Sequence, residues 1–526
     1  MVGTTANAPP DRLRQELRSY QILAIVLSGI IGTGVSVTNI DALKLVGPAG
    51  LLVALAVLGI VAVSVGETVS HLVQLFPTPN AIFEYVYNFV DEELAWIIGF
   101  MYWYIWVAVF TTELLTAATI AQYWRSDIIG SIAFYILAPM VFIIINFAGV
   151  KYFGWIETIG GMLKFLLMIG MTVALWVTAG ENNDGQAGPI TEGFQTNADY
   201  ADTFGTSFCM ALSLVAWSFG GIESTTMAAY EAKYQKDVSF ASTKLHWIVF
   251  GIYLIYSLAL ALTVPWNFVP TLSIYTRAAT NEALCGDTTI AVVIALCDQS
   301  GKHPEGQPVL AGFVNGCLLY AVLSCANTSL YIASRTLHGL ASSKRLEGRG
   351  PVSRFIRLFG STYRWTGVPF SAVCASCAVL CWVPMLGFHQ SYADDDDPLL
   401  GGFKVFLFFT SSTAYVIVWA VLCVAFIRFR SWTNWCAPGL KRLDEPLDVE
   451  HAAISSGDAL SVLPRRNNYS KYITEDPRST YSEHIKYLLG QPWAALLRGR
   501  YDFDALDHAQ TQEMGTWAES MVETRY

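Results

Sequence analysis

Long apolar segments follow one another through most of this chain of 526 residues, from Ile22 to Ile427. Charged side chains are absent from several of them, such as Leu51–Val65, Ile132–Phe147 and Val405–Ile427. The hydrocarbon core of a bilayer is about 30 Å thick, so a spanning helix needs about 20 mostly apolar residues. A surface helix of a soluble protein would carry a polar face instead. The pattern predicts an all-α integral membrane protein with about ten transmembrane helices.

Composition and motif content exclude several other classes of protein. Hydrophobic residues make up 53% of the chain and charged residues 14%, whereas a typical soluble domain has about 25% charged residues. An acidic chain embedded in a membrane is not expected to bind nucleic acid. The histidines are scattered, and no Ser/His/Asp spacing, metal cluster or phosphate-binding loop indicates an enzyme. We therefore expect neither catalysis nor a cofactor.

Basic residues are concentrated on one side of the predicted membrane domain. They precede the first span, follow the sixth, separate the eighth from the ninth, and follow the tenth; among them are Arg12, Arg14, Arg18, Lys233, Lys236, Lys244, Lys344, Arg345, Arg349, Arg354, Arg357, Arg428 and Arg430. Lys and Arg are enriched in cytoplasmic loops. We therefore expect cytosolic tails over 1–20 and 431–526, flanking a transmembrane domain over 21–430. The plasma membrane is the expected location, and the vacuolar membrane is the alternative.

Glycines interrupt the first and sixth spans. Gly32 and Gly34 lie in the first, and Gly220 and Gly221 lie in the sixth. Glycine in a helix interior costs about 1 kcal/mol relative to alanine. Two interpretations stay open at this point. Small residues allow close helix packing, or both helices are broken around a central site, as in transporters with discontinuous helices.

A series of motifs follows the order found in the amino acid permeases. In chain order the motifs are Ile31-Gly32-Thr33-Gly34, Gly47-Pro48-Ala49-Gly50-Leu51, Gly66-Glu67, Thr112-Glu113-Leu114, Leu163-Lys164, Ser218-Phe219-Gly220-Gly221-Ile222-Glu223, Ser334-Arg335-Thr336-Leu337 and Ile427-Arg428-Phe429-Arg430. Each motif alone is weak, but the ordered series is specific. Over roughly Ser19 to Arg430, the chain resembles the fungal and bacterial amino acid permease branch of the amino acid–polyamine–organocation superfamily.

The resemblance implies a LeuT-type fold, in which spans one to five and six to ten form an inverted repeat. Members of this family usually continue to twelve spans. No apolar stretch within 431–526 is long enough to cross a membrane. We therefore expect a bundle of about ten helices that lacks the usual last two helices of the family.

The resemblance also implies where a substrate carboxylate would bind. The backbone amides of Gly32, Thr33 and Gly34 are expected to hold it. Free amides and the positive end of a helix dipole stabilise an anion without a buried basic side chain. These three amides are called the span-one amides below.

In the sixth span, the resemblance implies a site for the substrate ammonium. Backbone carbonyl groups near Trp217, Ser218 and Gly220 are expected to accept its hydrogen bonds. The ring of Trp217 matches an aromatic lid over the substrate in related transporters. Packing, or a position at the membrane interface, is the alternative role for this tryptophan.

Ionisable residues within the spans need an explanation, because each costs about 2.5–3.5 kcal/mol on insertion scales unless it is paired or solvated. In proton-coupled relatives, a lysine at the position of Lys164 replaces a sodium ion and exchanges a proton. Glu113 matches a glutamate beside the substrate, where it could carry a proton or bind the ammonium. Glu223 is expected to stabilise the unwound part of span six. A purely structural pair is the alternative for each residue.

Three functional hypotheses follow from these features. The first is proton-coupled import of amino acids by alternating access, with the proton as coupling ion and no cofactor. The others are an amino acid sensor of the same fold that does not transport, and a truncated, inactive permease. The expected partners are an amino acid and the lipid bilayer, without nucleic acid. The oligomeric state and the side chain of the substrate stay open.

The asymmetry of the basic residues predicts that positions 184 and 456 lie on opposite sides of the membrane. A membrane-impermeant thiol reagent should label Asp184→Cys in intact cells, and Ser456→Cys only after permeabilisation, because the basic side faces the cytosol. The parent chain has 10 native cysteines and supplies the background signal. Labelling of both positions from the same side would contradict this topology.

Overall fold

The structure, a computed structural model, describes residues 15–76, 78, 80–121, 124, 132–181, 189–198, 201–233, 236–264, 266, 308–342, 356–363, 365–390 and 398–436. Most of the two predicted tails, together with Asp184 and Ser456, lies outside these residues. The described residues are almost entirely helical. The one isolated β-bridge among them pairs Leu17 with Ala232.

The described α-helices have the following bounds. In the first part of the chain they are α1 (Ser19–Ile30), α2 (Asn39–Leu75), α3 (Ala81–Phe89), α4 (Glu92–Ala121), α5 (Ala138–Phe147) and α6 (Val150–Glu181). In the second part they are α7 (Phe204–Phe219), α8 (Thr225–Tyr230), α9 (Lys236–Thr263), α10 (Pro308–Ala341), α11 (Phe370–Ala378), α12 (Trp382–Gln390) and α13 (Pro398–Cys436). Short π-helices precede α2 and α5, over Gly34–Thr38 and Ala133–Leu137.

Seven helical segments in the described part of the chain are long and apolar enough to cross a membrane. The first, Ser19–Leu75, has 57 residues, more than twice the length that one crossing needs. It bends at Gly47, whose φ of +74° is outside the helical range, next to Pro48. Two shorter apolar segments, Ala133–Phe147 and Phe370–Leu386, lie where further spans are predicted. The all-α membrane bundle is confirmed, and its helices agree with about ten crossings.

The outer faces of these helices are apolar. Ile60, Ile144, Ile159 and Leu166 are each more than 60% exposed. Lipid chains solvate such a surface, whereas a continuous apolar surface of this kind is rare on soluble monomers. The interior contains polar side chains, including the fully buried Asn146. The chain is therefore an integral membrane protein.

Two compact units make up the chain. The larger contains Met1–Phe83 and Ile97–Ala420, and the smaller contains Glu84–Trp96 and Val421–Tyr526. Within the smaller unit, the guanidinium of Arg428 donates a hydrogen bond to the carbonyl of Val90 at 3.0 Å. All of the site residues predicted from the sequence lie in the larger unit.

A buried ion pair connects the residue that follows α8 to α10. Arg335 Nε lies 3.3 Å from Glu231 Oε1, and each side chain is 1% exposed. The hydroxyl of Tyr331 donates to Glu231 Oε2 at 2.5 Å, and the Arg335 guanidinium lies 4.1 Å from the centre of the Tyr331 ring. Leu17 joins the same region, since its N–H donates to the carbonyl of Glu231 at 2.9 Å. This cluster fixes α8, α10 and the segment before α1 together.

Removing one partner of the pair should destabilise the fold more than removing both. Arg335→Met leaves the Glu231 carboxylate buried without its cation, a change that costs about 3–5 kcal/mol. The double variant Arg335→Met/Glu231→Gln should recover part of this loss. Thermal unfolding of the purified protein in detergent, arranged as a double-mutant cycle, measures the coupling. Strictly additive effects of the two substitutions would contradict a direct interaction.

Candidate functional site

Span one is broken at the positions of its glycines. Helix α1 ends at Ile30, and Ile31 is extended, with φ −80° and ψ 92°. The N–H of Gly32 turns back to the carbonyl of Ile30 at 3.1 Å. The chain then resumes as the π-helix that begins at Gly34. Short π-helical turns within α-helices occur frequently at functional sites.

Span six is broken at its paired glycines. Helix α7 ends at Phe219, and Gly220 is extended, with φ −55° and ψ 134°. Gly221 has a φ of +97°, which an L side chain rarely adopts. A 3₁₀ turn, Ile222–Ser224, then leads into α8. The backbone groups freed here lie in the buried interior, where a break in a helix is tolerated because protein covers it.

The two breaks pack directly against each other. A Cβ atom placed on Gly34 would lie 2.5 Å from the Cα of Ser218 and 3.1 Å from its N. The indole Nε1 of Trp217 donates to Thr33 Oγ1 at 3.1 Å. Both interpretations of the glycines are therefore observed, because the helices are broken and their backbones also approach closely.

Hydrogen bonds between polar side chains of α7, span one and α9 hold this contact in place. Ser218 Oγ donates to Asn39 Oδ1 at 2.8 Å, and Asn39 Nδ2 donates to Ser257 Oγ of α9 at 3.1 Å. Thr38 Oγ1 donates to the carbonyl of Gly34 at 2.6 Å. The side chain of Ser218 thus supports the contact between α7 and span one. Because its hydroxyl is hydrogen-bonded to Asn39, a contact between Ser218 and a substrate would be made by the backbone of Ser218.

Lys164 binds the carbonyl end of α1. This residue of α6 is 1% exposed, and its Nζ donates to the carbonyls of Ser28 and Ile31 at 2.6 and 3.1 Å. A cation at a helix C-terminus interacts favourably with the helix dipole. Helices α6 and α1 pack closely here, since a Cβ atom on Gly161 would lie 2.6 Å from the carbonyl oxygen of Ala24.

A second buried ionisable residue on α6, Glu157, was not among the site residues predicted from the sequence. Glu157 is 1% exposed. Its Oε2 accepts hydrogen bonds from Ser28 Oγ at 2.6 Å and Ser324 Oγ at 3.4 Å, and its Oε1 accepts one from Asn327 Nδ2 at 2.7 Å. Ser28 therefore contacts Glu157 through its hydroxyl and Lys164 through its carbonyl. The signal available in the sequence was a lone glutamate seven positions before Lys164, on the same helical face.

Glu113 binds Thr33, whose N–H is one of the span-one amides. This residue of α4 is 1% exposed, and its Oε1 accepts hydrogen bonds from Thr33 N at 3.3 Å and Thr33 Oγ1 at 3.0 Å. A Cβ atom on Gly32 would lie 2.7 Å from the same oxygen and 2.7 Å from Cys325 Sγ. The backbone amide predicted for a substrate carboxylate thus holds a carboxylate of the chain itself.

Glu223 lies directly after the break in span six. It is fully buried, and its Oε2 accepts a hydrogen bond from Trp419 Nε1 of α13 at 2.9 Å. A Cβ atom on Gly220 would lie 2.7 Å from the ring of Tyr415, also on α13. Helix α13 therefore covers the unwound part of span six. The predicted supporting role of Glu223 stays a prediction.

The predicted site residues form two neighbouring groups. Around the break in span one lie Gly32, Thr33, Gly34, Glu113, Lys164, Trp217 and Ser218. Gly220 and Glu223 lie against α13 instead. The ring of Trp217 connects the two groups, because it also packs on Phe408 of α13, with the ring centroids 4.6 Å apart. The roles of these residues in binding and proton coupling stay predictions.

Comparisons with known proteins agree with the motifs. The model of the family described as "Amino acid permease" matches residues 21–435. The dicarboxylic amino acid permease of Saccharomyces cerevisiae is 26% identical over 432 residues, which cover 80% of this chain and 65% of that relative. The lysine-specific permease LysP of Escherichia coli is 24% identical, with 82% of this chain and 81% of the relative covered.

A further yeast relative and two solved structures complete the comparison. The general amino-acid permease GAP1 of S. cerevisiae is 26% identical, with 81% of this chain and 66% of the relative covered. The chain thus spans slightly less than two thirds of both yeast relatives. A Na⁺-coupled sialic acid symporter has 12% identity and a TM-score of 0.47, covering 79% of this chain and 82% of its own. The manganese transporter of Eremococcus coleocola has 13% identity and a TM-score of 0.45, covering 93% and 98%.

The family match extends over most of the chain and includes both broken spans as well as α4 and α6. It therefore contains every residue of the candidate site. On this match, the chain belongs to the amino acid permease family.

Proposed function

We propose that this protein transports amino acids across the membrane by alternating access, with the substrate held between the broken spans one and six. The observation that carries the proposal is the pair of hydrogen bonds from Thr33 to a carboxylate oxygen. Every amino acid has an α-carboxylate. A position that already holds the carboxylate of Glu113 has the donors that such a substrate needs.

The helix ends at the two breaks match the other charge of an amino acid. Span one resumes with its positive, N-terminal end near Thr33, and α7 ends with its negative, C-terminal end at Phe219. The close approach of Gly34 to Ser218 puts these two ends side by side. The α-carboxylate binds the first end and the α-ammonium binds the carbonyls of the second. Both groups of the substrate are then recognised without reference to its side chain.

A proton gradient drives import in this proposal, with Lys164 as the coupling residue. Its ammonium holds two carbonyls at the end of α1, so loss of its proton weakens the connection between α1 and α6. Glu157, linked through Ser28, supplies the balancing negative charge. In this proposal the protein resides in the plasma membrane. Both termini lie in the cytosol, in keeping with the distribution of basic residues. Membership of a transporter family argues against catalysis.

Uptake of a panel of radiolabelled L-amino acids into cells lacking their own permeases tests the function. We expect concentrative uptake of at least one amino acid by the wild type. Binding without uptake would instead indicate a sensor. The absence of both from a protein present at the cell surface would contradict the proposal.

Substitution at Gly34 tests whether the contact between the breaks forms the site. Gly34→Ala should lower uptake by roughly 10- to 100-fold, because its Cβ would displace the backbone at Ser218 and a shift of about 1 Å can cost that much. Gly170→Ala on α6 is the matched control, since its Cβ meets no atom within 4 Å. Normal uptake by Gly34→Ala would remove this contact from the site.

Substitution at Lys164 tests proton coupling. Lys164→Ala should lose accumulation driven by an imposed proton gradient in proteoliposomes and keep exchange, because the proposed substrate contacts lie on spans one and six. Lys151→Ala, an exposed lysine on the same helix, should behave like the wild type. If gradient dependence persists in Lys164→Ala, this lysine has a structural role only.

A further inference from the structure

Glu113 occupies the position that an incoming substrate carboxylate needs. Its Oε1 accepts hydrogen bonds from both the N–H and the hydroxyl of Thr33. Its other oxygen, Oε2, is buried and has no hydrogen-bond partner within the described residues. Thr33 Oγ1 also accepts the indole N–H of Trp217. Trp217, the Thr33 hydroxyl and the Glu113 carboxylate therefore form one chain of hydrogen bonds from α7 through span one to α4, and the Thr33 amide donates to the same carboxylate oxygen.

Two carboxylates cannot share this position while both are charged. At the distance of two groups bound to one donor residue they repel strongly, because Glu113 and Thr33 are buried, where charges are screened less than at a surface. In sites where two carboxylates meet, one of them retains a proton. A substrate carboxylate can therefore enter only if Glu113 moves away or becomes neutral.

We propose that Glu113 is a built-in competitor for the substrate carboxylate, and that protonation of Glu113 frees the Thr33 amide for the substrate. This inference rests on the proposed function and assigns it a mechanism. Proton and amino acid then bind together, because a neutral carboxyl group is a much weaker acceptor for the Thr33 donors than a carboxylate. Loss of the proton restores the hydrogen bonds of Glu113 and expels the substrate.

The surroundings of Glu113 define what else affects its charge. Thr33 is its hydrogen-bond partner. The titratable groups that face it are Lys164 from α6, Cys325 from α10 and Tyr415 from α13. An ammonium group on Lys164 attracts a carboxylate on Glu113. Lys164 and Glu113 are therefore electrostatically coupled, and the effects of substituting them on substrate binding are not expected to be additive.

The alternative role for Glu113, as partner of the substrate ammonium, predicts the opposite sign. Removing the charge of a competitor strengthens substrate binding at neutral pH, whereas removing the charge of an ammonium partner weakens it. Glu113→Gln keeps the shape and an acceptor oxygen but cannot ionise. Glu93→Gln is the matched control, because Glu93 lies exposed on the same helix, α4.

The test is ligand-induced thermal stabilisation of the purified full-length protein between about pH 5 and pH 8, since a ligand stabilises a protein in proportion to its occupancy. The probes are sodium acetate, the L-amino acids of the uptake panel, and their α-carboxamides. For wild type and Glu93→Gln, the apparent Kd of acetate should rise as pH increases, by up to about tenfold per pH unit, because one proton is taken up with each carboxylate. For Glu113→Gln, it should be constant and close to the low-pH value of the wild type.

The outcomes separate this inference from the proposed function. The acetate experiment tests competition for the Thr33 amide, whether or not any amino acid is transported. The amino acids and their carboxamides test whether the carboxylate bound there belongs to a substrate. Weaker acetate and amino acid binding by Glu113→Gln at every pH, or a pH dependence that persists in this variant, would overturn the inference. If Glu113→Gln does not fold, Glu113→Ala replaces it. Its apparent Kd for acetate should likewise be independent of pH and close to the low-pH value of the wild type.

Discussion

The backbone groups freed by the breaks in spans one and six are the constraint on which the rest of this structure depends. A helix end within a membrane has unsatisfied N–H or C=O groups and a partial charge of about half an electron. Water is not available there to compensate for either. The chain supplies compensation of the correct sign. Lys164 binds the carbonyl end of α1, and Glu113 binds the amide of Thr33 where span one resumes.

This constraint explains why charged side chains are retained in an apolar bundle. Glu113 and Lys164 bind backbone groups of span one, and Glu157 binds Ser28 and Asn327. Such contacts connect α1, α4, α6 and α10 by hydrogen bonds in addition to packing. Gain or loss of one proton by an ionisable side chain also strengthens or weakens such a hydrogen bond, whereas it leaves apolar packing unchanged. In the proposed transport function, these residues link substrate binding and release to the gain and loss of a proton.

Some of this arrangement follows from the sequence and some does not. The glycines at 32, 34, 220 and 221 predict the breaks, because glycine is unfavourable in an uninterrupted helix. The role of Glu157 could not be predicted, since its partners are more than 100 positions away along the chain. The hydrogen bond between Glu113 and Thr33 was missed for a different reason. Sequence motifs indicate that both residues border the substrate site, but they do not specify which charge of the substrate Glu113 faces.

A structure of the protein with an amino acid bound at low pH tests the central claim most directly. The claim predicts a ligand carboxylate oxygen within about 2.7–3.2 Å of Thr33 N, with the carboxyl group of Glu113 withdrawn from that amide. The ligand ammonium should lie against the carbonyl end of α7. A ligand whose ammonium contacts Glu113, while Glu113 keeps its hydrogen bonds to Thr33, would contradict the claim.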